Sequence, residues 1–307
     1  MTSWANSTQR REWLLSPEAL AARRAASLPP PAHPATPDDL LLLTRYYAAK
    51  AATIAATLQL PPKVFRCAAL LLARCALHPP LALALDARTA MLACLYVASK
   101  AEERYVSADA LGACVGGTGA AAAILAAEPH VLAAVSFCLV THHPHRVAAG
   151  VVAAAGQVLR AQRGGDEGAT SLPPGGDALL SSALKACDDL VIHGDGPLTQ
   201  PPGWLGLAAV RWATHVAKQK PRDAGFDPQQ WGAAVDAAFA EQVAAEGGRA
   251  ALGGAEWAVA VAVDAAHRPL PEEDAKAADR RVREWRAARR AAAGGGQTKD
   301  ATKDTHE

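Results

Sequence analysis

Aromatic side chains are scarce in this chain of 307 residues, which has four Phe, four Tyr and seven Trp. Charge of either sign is not in excess, since 31 Lys and Arg stand against 30 Asp and Glu. Proteins that grip nucleic acid without sequence preference need a basic excess to neutralise phosphates. The balance therefore excludes a dominant non-specific nucleic-acid contact, and the dispersed Trp residues are typical of packing rather than of base stacking.

Paired cysteines are also missing, because no Cys-x-x-Cys spacing occurs. Cysteines in single apolar positions are typical of small buried hydrophobes in a reducing compartment. The six of this chain lie in apolar stretches, at Cys67, Cys75, Cys94, Cys114, Cys138 and Cys187. Charge, Pro or Gly interrupts every apolar run before the roughly 20 residues of a membrane span. We expect a soluble intracellular protein without disulfides.

The motifs of common catalytic sites are absent: GxSxG, a Walker loop, GxGxxG after a strand and HExxH do not occur. His142, His143 and His145 are the strongest metal-ligand candidates, since three imidazoles within four residues can bind zinc. A structural zinc site needs four ligands, however, and Pro144 prevents a regular helical spacing. We predict a loop here, with no metal, no cofactor and no catalytic residue, which leaves a binding function.

Alanine is abundant, and Ala-rich segments favour helices because Ala loses no side-chain entropy on ordering. Thr36-Pro37-Asp38-Asp39 predicts a helix start, with a capping hydroxyl, a Pro and acids near the positive helix end. Asp86 is a plausible cap for a third helix, whose stretch MLACLYVASK is apolar on nearly every face and should be central. The predicted fold class is all-α.

The order helix, Pro-Pro, apolar helix occurs in residues 37–78 and again from residue 177, which predicts two repeats of one helical design. Five helices form the first repeat, and the fifth is expected to bend or restart at Pro129. RGGDEGATSLPPGG has the composition of a linker. The predicted organisation is an N-terminal helical segment (1–36), a first repeat (37–158), a linker (159–176), a second repeat (177–268), a C-terminal helix (269–292) and a disordered tail (293–307).

The stretch LYVASKAEERYV, residues 95–106, changes from apolar to charged at Lys100. Lys100 would lie at the end of the buried third helix and Glu128 within the fifth, so a five-helix bundle can bring an extended donor and an acceptor to one surface. Two unrelated surface charges would give the same pattern. Glu102 and Glu103 are expected to be solvated acids that tune Lys100.

The same residues carry a family resemblance. In LYVASKAEE a Lys follows a small residue and precedes acids, and ILAAEPHVLAAVSFCLVTHHPHR has Ile-Leu, a Glu three positions later and a closing His-x-Pro-x-Arg. Together they resemble the third and fifth helices of the cyclin box. The resemblance implies two tandem five-helix cyclin boxes and a non-catalytic activator of a cyclin-dependent kinase. In that family the Lys donates to backbone carbonyls of the kinase and the Glu accepts from backbone amides, which are the roles implied for Lys100 and Glu128.

Within the cyclins, STQRREW near the N-terminus and HGDGPLTQPPGW in the second repeat resemble the cyclin H subfamily. This implies a nuclear CDK-activating kinase within general transcription factor IIH, with a RING-finger assembly factor as a further partner and without direct contact to nucleic acid or membrane. It also implies that the terminal helices pack on the second repeat. Further candidates for a contact or a structural role are Glu103, Arg10 and Trp13.

Three other functions stay open on the sequence. Cyclin C of the Mediator kinase module resembles cyclin H through both boxes. A nucleic-acid-binding module similar to TFIIB would use the same two repeats, but it would need a basic face and an N-terminal zinc ribbon. A helical scaffold that binds no kinase would leave Lys100 and Glu128 without a function.

Overall fold

The computed structural model describes residues 4–28, 35–79, 81, 85–116, 118–164, 171–219, 226–245, 247–268 and 271–294. Within these residues the protein is helical and has no β-strand. Of the predicted tail, residues 295–307 lie outside the described residues. In the described part no single helix is long and apolar enough to cross a membrane. One bent pair of helices meets the requirements of length and composition when the two helices are taken together.

The helices follow a 3-10 turn at Trp4–Asn6. In chain order they are α1 (Thr8–Glu12), α2 (Pro17–Ser27), α3 (Pro37–Thr57), α4 (Pro62–Ala76), α5 (Ala87–Ala101), α6 (Ala108–Val115), α7 (Ala120–Ala134), α8 (Pro144–Gln162), α9 (Gly176–His193), α10 (Gly196–Thr199), α11 (Pro202–Gln219), α12 (Pro228–Ala238), α13 (Ala240–Ala244), α14 (Gly248–His267) and α15 (Glu272–Gly294).

The chain forms two compact units. The first-repeat unit contains residues 17–139 and 271–294, and its repeat consists of the five helices α3 to α7. The second-repeat unit contains residues 4–16 and 140–268, with α8, α9, α11, α12 and α14 as its longer helices. The predicted all-α fold with two tandem helical repeats is confirmed.

Side-chain caps begin three of the five helices of the first repeat. Thr36 and Asp39 form a complete capping box at α3, in which each side chain accepts a hydrogen bond from the other residue's backbone N–H. Asp86 accepts from the N–H of Thr89 at 2.9 Å at the start of α5, and Ser107 caps α6. The first two of these caps confirm the helix starts that the sequence indicated at Thr36 and Asp86.

Helix α5 is the centre of the first repeat. Ten consecutive residues, Ala90–Ser99, are buried, and the helix packs against α3, α4, α6 and α7. A helix needs no polar face when other helices surround it. The apolar composition of MLACLYVASK therefore predicted its position correctly.

Helix α7 continues through Pro129, so the predicted restart at this residue is not seen. A Pro removes one backbone hydrogen bond, here to the carbonyl of Leu125 four residues earlier. The Leu125 side chain is 50% exposed, so this part of α7 lies at the surface. The helix is held by its opposite face, whose buried residues are Ile124, Ala127, Val131 and Ala134.

The C-terminal helix α15 packs on α3 in the first-repeat unit, not on the second repeat as expected. Ala278 and Val282 form a small apolar cluster with Leu43. Beside it, Arg281 Nε donates to the Asp39 carboxylate at 3.2 Å. Burial by itself raises the pKa of Asp39, but hydrogen bonds from Arg281 and Thr36 outweigh it and lower the pKa below 3.8.

The second-repeat unit begins earlier in the chain than predicted. The buried face of α8, which includes Val151, Val152 and Leu159, belongs to the same core as Leu190 of α9 and Trp231 of α12. The boundary therefore lies between residues 139 and 140, rather than at residue 158. The Gly-rich stretch that resembled an interdomain linker connects two helices of one repeat.

Five of the six cysteines are buried, as expected for small apolar side chains. Cys114, at the end of α6, is exposed and differs from that expectation. The apolar neighbours of Cys114 in sequence do not report its position on the outer face of a short helix.

Candidate partner-binding site at the end of helix α5

Lys100 is the first exposed residue after the ten buried residues of α5. Its side chain is 37% exposed, and it lies in the last turn of the helix, one residue before Ala101. A cation in this position interacts favourably with the negative end of the helix dipole. The core helix thus ends with a long, extended hydrogen-bond donor at the surface.

Glu103 ends the helix through its backbone. Its φ is +55°, in the left-handed region, and its N–H donates to the Lys100 carbonyl at 3.1 Å. The next N–H, of Arg104, donates to the Ser99 carbonyl at 2.8 Å, which completes a Schellman motif. Gly usually occupies this position because other residues are strained there by about 1 kcal/mol. Glu103 therefore has a structural role that fixes where Lys100 emerges.

Lys100 and Glu128 are in direct contact. Lys100 Nζ donates to Glu128 Oε1 and forms an ion pair between α5 and α7. The Glu128 side chain is 22% exposed, so water reaches both members of the pair. Two charges far apart in sequence are thus neighbours on one surface, as the five-helix bundle predicted.

The ammonium group of Lys100 lies over a tyrosine ring, which in turn contacts a second tyrosine. Its Nζ lies 4.3 Å from the centre of the Tyr96 ring, which is one helical turn earlier on α5. Tyr96 in turn meets Tyr105 edge to face, with ring centres 6.3 Å apart. Burial, and then hydrogen bonding with Tyr105, raise the pKa of Tyr96, while Lys100 opposes them. The sequence reasoning missed both tyrosines, although the spacing of four residues between Tyr96 and Lys100 could have revealed the first.

Glu102 is paired with a different lysine. Lys63, at the start of α4, donates to the Glu102 backbone carbonyl at 2.6 Å and lies 3.2 Å from its carboxylate. This contact closes the end of α5 against α4. Glu102 is therefore not a freely solvated acid, whereas Glu103 is exposed, as expected.

Large apolar side chains are exposed on the same unit. Tyr105 is 67% exposed, Leu125 is 50% exposed one turn before Glu128, and Phe137 is 70% exposed just after α7. Surfaces of this kind, with a charged pair and apolar side chains nearby, are suited to a protein partner.

Arg10 and Trp13 lie in the second-repeat unit. Arg10 is exposed and its guanidinium donates to the Ala5 carbonyl at 3.1 Å, while Trp13 is buried with 6% exposure. The neighbouring Gln9, which the sequence reasoning did not single out, is buried and exchanges two hydrogen bonds with the backbone of His142 at 2.7 and 3.1 Å. The N-terminal motif therefore anchors its own segment on the second repeat.

The histidine cluster is a turn that begins α8. The His145 side chain is 7% exposed, and its Nε2–H donates to the Asp188 carboxylate at 2.9 Å. His143 Nε2 contacts the Thr141 hydroxyl, and the His142 ring packs edge-on against Trp4. Within the described ranges, no group of three or more His, Cys, Asp or Glu side chains is arranged to hold a metal ion. The His143 and His145 rings also meet edge to face, with ring centres 6.2 Å apart.

Comparison with known proteins gives a consistent picture. No protein-family model matches the chain. Over 126 residues, which are 41% of this chain, it is 34% identical to cyclin-H1-1 of Arabidopsis thaliana. The chain resembles cyclin H. The matched region is only 34% of the length of that relative, so the curated sequence likeness covers part of each protein.

The structural likeness extends over nearly the whole chain. A chain in the structure of the CAK complex of Chaetomium thermophilum bound to ATP-γ-S superposes with a TM-score of 0.69 at 17% identity, covering 99% of this chain and 97% of that one. A chain of the yeast TFIIK (Kin28/Ccl1/Tfb3) complex gives a TM-score of 0.55 at 20% identity, covering 77% and 99%. The chain thus shares its fold with a chain of each of these two complexes.

Proposed function

We propose that this chain is a cyclin H-like regulatory subunit that binds and activates a cyclin-dependent kinase. The cyclin H likeness and the fold shared with a chain of the CAK complex support this function. The observation that carries it is the exposed Lys100–Glu128 pair at the end of the buried helix α5. The protein itself performs no chemistry in this proposal.

Lys100 and Glu128 would exchange their mutual contact for contacts to the kinase. Lys100 would donate to backbone carbonyls next to the kinase's C helix, and Glu128 would accept from backbone amides there. Opening a solvent-exposed ion pair costs about 0–1 kcal/mol, so the internal contact is a weak competitor. Charge-assisted hydrogen bonds to a partner are stronger and more directional than neutral ones. The pair therefore holds both groups in position without blocking their use.

The exposed apolar side chains would complete the interface. Leu125 lies one turn from Glu128, and Tyr105 contacts the Tyr96 ring beneath the Lys100 ammonium. Apolar contacts around a polar pair exclude water and strengthen its hydrogen bonds. Together they give the kinase a polar centre with an apolar border.

Activation would follow from selection of one kinase conformation. An active protein kinase needs a Glu of its C helix to pair with the strand Lys that orients ATP phosphates. A subunit that binds only the inward position of that helix shifts the population toward the active state. The two cyclin-side groups would thus act on the helix backbone rather than on ATP.

The proposal includes further partners and a location. The TFIIK structure contains Kin28, Ccl1 and Tfb3, which supports a kinase and a RING-finger assembly factor as partners of this chain. Within general transcription factor IIH, the complex would phosphorylate the C-terminal repeat of RNA polymerase II and the activation loops of other kinases in the nucleus. A cyclin C-like protein would instead bind a Mediator kinase.

The test is isolation of the tagged full-length chain from its native cells, identification of the bound kinase by mass spectrometry and assay of that kinase on a peptide with the polymerase repeat. We expect Lys100→Glu to weaken kinase binding about 10-fold or more, because it sets a carboxylate against backbone carbonyls. Kinase activity at limiting cyclin should fall in parallel.

Lys185→Glu is the matched control. Lys185 is 69% exposed on α9 and also pairs with one acid, Asp189, at 2.8 Å. Kinase binding should be unchanged in this variant, and both variants should remain folded, as circular dichroism measures. Unchanged binding of Lys100→Glu, or equal losses in both variants, would contradict the assignment of the interface.

A further inference from the structure

Two buried thiols face each other inside the first-repeat unit. The sulfur atoms of Cys75 on α4 and Cys94 on α5 are 4.0 Å apart, and the Cys94 thiol donates a hydrogen bond to Cys75. Their side chains are 1% and 0% exposed. The hydrogen bond to Cys75, and then burial, raise the pKa of Cys94 well above its usual range, so Cys94 keeps its proton. Cys75 is the acceptor of the pair.

Cys75 borders a cavity of about 40 Å³, whereas the other buried cysteines do not. Its walls include Cys75, Leu43, Leu72, Ala90 and Arg286. Of the two facing thiols only Cys75 borders the cavity, so a small molecule inside it reaches Cys75 before Cys94. Neither Cys67 nor Cys187 borders this cavity, although both are fully buried.

We propose that Cys75 and Cys94 form a peroxide-sensitive pair, in which Cys75 reacts first and Cys94 resolves the product into a disulfide between α4 and α5. Hydrogen peroxide is neutral and only slightly larger than water, so it fits a cavity of this size. A bulky, charged oxidant such as oxidised glutathione does not. The proposal is independent of kinase binding.

The chemistry balances with peroxide as the only oxidant. The Cys75 sulfur attacks one peroxide oxygen, the O–O bond breaks, and the products are a Cys75 sulfenic acid and one water. The Cys94 sulfur then attacks the Cys75 sulfur, so that the S–S bond forms while the S–O bond breaks. The departing hydroxide takes the Cys94 proton and leaves as a second water. Two thiols are oxidised by two electrons and one peroxide is reduced.

The experiment uses the full chain in a Cys114→Ser background, because exposed Cys114 would react first. The folded protein is treated with hydrogen peroxide or with oxidised glutathione, alkylated after unfolding and mapped by mass spectrometry. We expect peroxide, but not oxidised glutathione, to remove two hydrogens and to give a Cys75–Cys94 linked peptide that a thiol reductant reverses. Free Cys75 and Cys94 after peroxide, or a bridge that uses Cys67, would overturn the proposal.

Two variants separate the roles of the thiols. Cys94→Ala should leave a sulfenic acid on Cys75 that dimedone labels, whereas Cys75→Ala should protect Cys94 from oxidation. Cys187 serves as the internal control, since it is equally buried but lies in the other unit. The peptide map of the background protein needs no core substitution, so it decides the question even where a variant does not fold. Dimedone labelling of Cys187 to the same extent as Cys75 would also contradict the proposal.

Discussion

The two repeats place a cation differently on comparable helices. In the first repeat, Lys100 stands in the last turn of α5 and pairs with the single acid Glu128. In the second repeat, Arg211 stands in the middle of α11 and bridges Asp236 of α12 and Glu256 of α14, the latter at 2.6 Å.

Lys100 is an available cation, which a partner protein can use, whereas Arg211 is a committed cation, which is held in a structural bridge. The guanidinium of Arg211 presents fixed donors to two acceptors, so the bridge ties three helices together. The Lys100 ammonium is a rotatable point charge that pairs with one acid in the described residues, and its exchange for another acceptor disturbs little. A residue that pairs in the free protein can therefore still serve a partner when the pair is single and solvated.

The largest expected effect concerns buried leucines in the two helices that carry these cations. Leu95 of α5 is 0% exposed and Leu205 of α11 is 1% exposed. Leu95→Ala and Leu205→Ala should each lower the free energy of unfolding by about 2–5 kcal/mol, because each leaves a cavity. Denaturant titration measures this, with Leu125→Ala as an exposed control that should change it by less than about 0.5 kcal/mol. A small loss for only one core variant would show that the two central helices are not equivalent.

The second-largest expected effect tests how closely α11 approaches α8. A Cβ at Gly206 would lie 2.7 Å from Val147 Cβ and 2.8 Å from the Pro144 carbonyl, whereas a Cβ at Gly203 on the same helix meets nothing within 4 Å. Gly206→Ala should cost about 1–3 kcal/mol through overpacking against α8. Gly203→Ala should be neutral or stabilise by up to about 1 kcal/mol. Thermal unfolding of both variants decides, and equal effects would contradict the close approach of α8 and α11.

A third prediction concerns acid sensitivity, which the first-repeat unit gains from α15. Because the folded-state pKa of Asp39 is lowered below 3.8, its ion pair stabilises the protein above that pH, and the contribution is lost as pH falls through the folded value. Asp39→Asn also removes part of the α3 cap and should cost about 1–2 kcal/mol at neutral pH. The difference from wild type should shrink below pH 4, and a difference independent of pH would contradict the role of this carboxylate.

The smallest expected effects test the comparison of Lys100 with Arg211 directly. Arg211→Ala should lower the free energy of unfolding by about 1 kcal/mol, since it removes a bridge between two acids, and Lys100→Ala by less than about 0.5 kcal/mol. Chemical denaturation at low and high salt measures both. A larger stability loss for Lys100→Ala than for Arg211→Ala would reverse the assignment of committed and available cations.

Local signals predicted much of the first repeat because they act within a few residues. Thr36, Asp86 and Ser107 cap the helices that follow them, and the uniform hydrophobicity around Leu95 marked the central helix. The five-helix design also indicated that Lys100 and Glu128 can share one surface, but not that they are in direct contact. The tyrosines beside Lys100 were missed because ring contacts depend on the geometry of the helix end.

Other features could not be predicted, because distant segments decide them. The Gly-rich stretch before α9 has a linker composition, yet the buried face of α8 shares a core with Leu190 and Trp231. The composition of a loop indicates that it is soluble. It does not indicate which core the helices on either side of the loop join. In the same way, an interior Pro129 predicts a bend or a restart, but α7 continues through it without a restart, with Ile124 and Val131 buried.

The sequence by itself determined the helical class, the capped helix starts and the surface emergence of a lysine at the end of a buried helix. These depend on side-chain entropy, local hydrogen bonds and apolar periodicity, which act over one or two turns. Only the tertiary structure decided that α8 joins the second repeat, that α15 returns to α3 and that Lys100 meets Glu128. Such contacts join residues up to 242 positions apart, as Arg281 and Asp39 do, and depend on which apolar faces find each other in the folded chain.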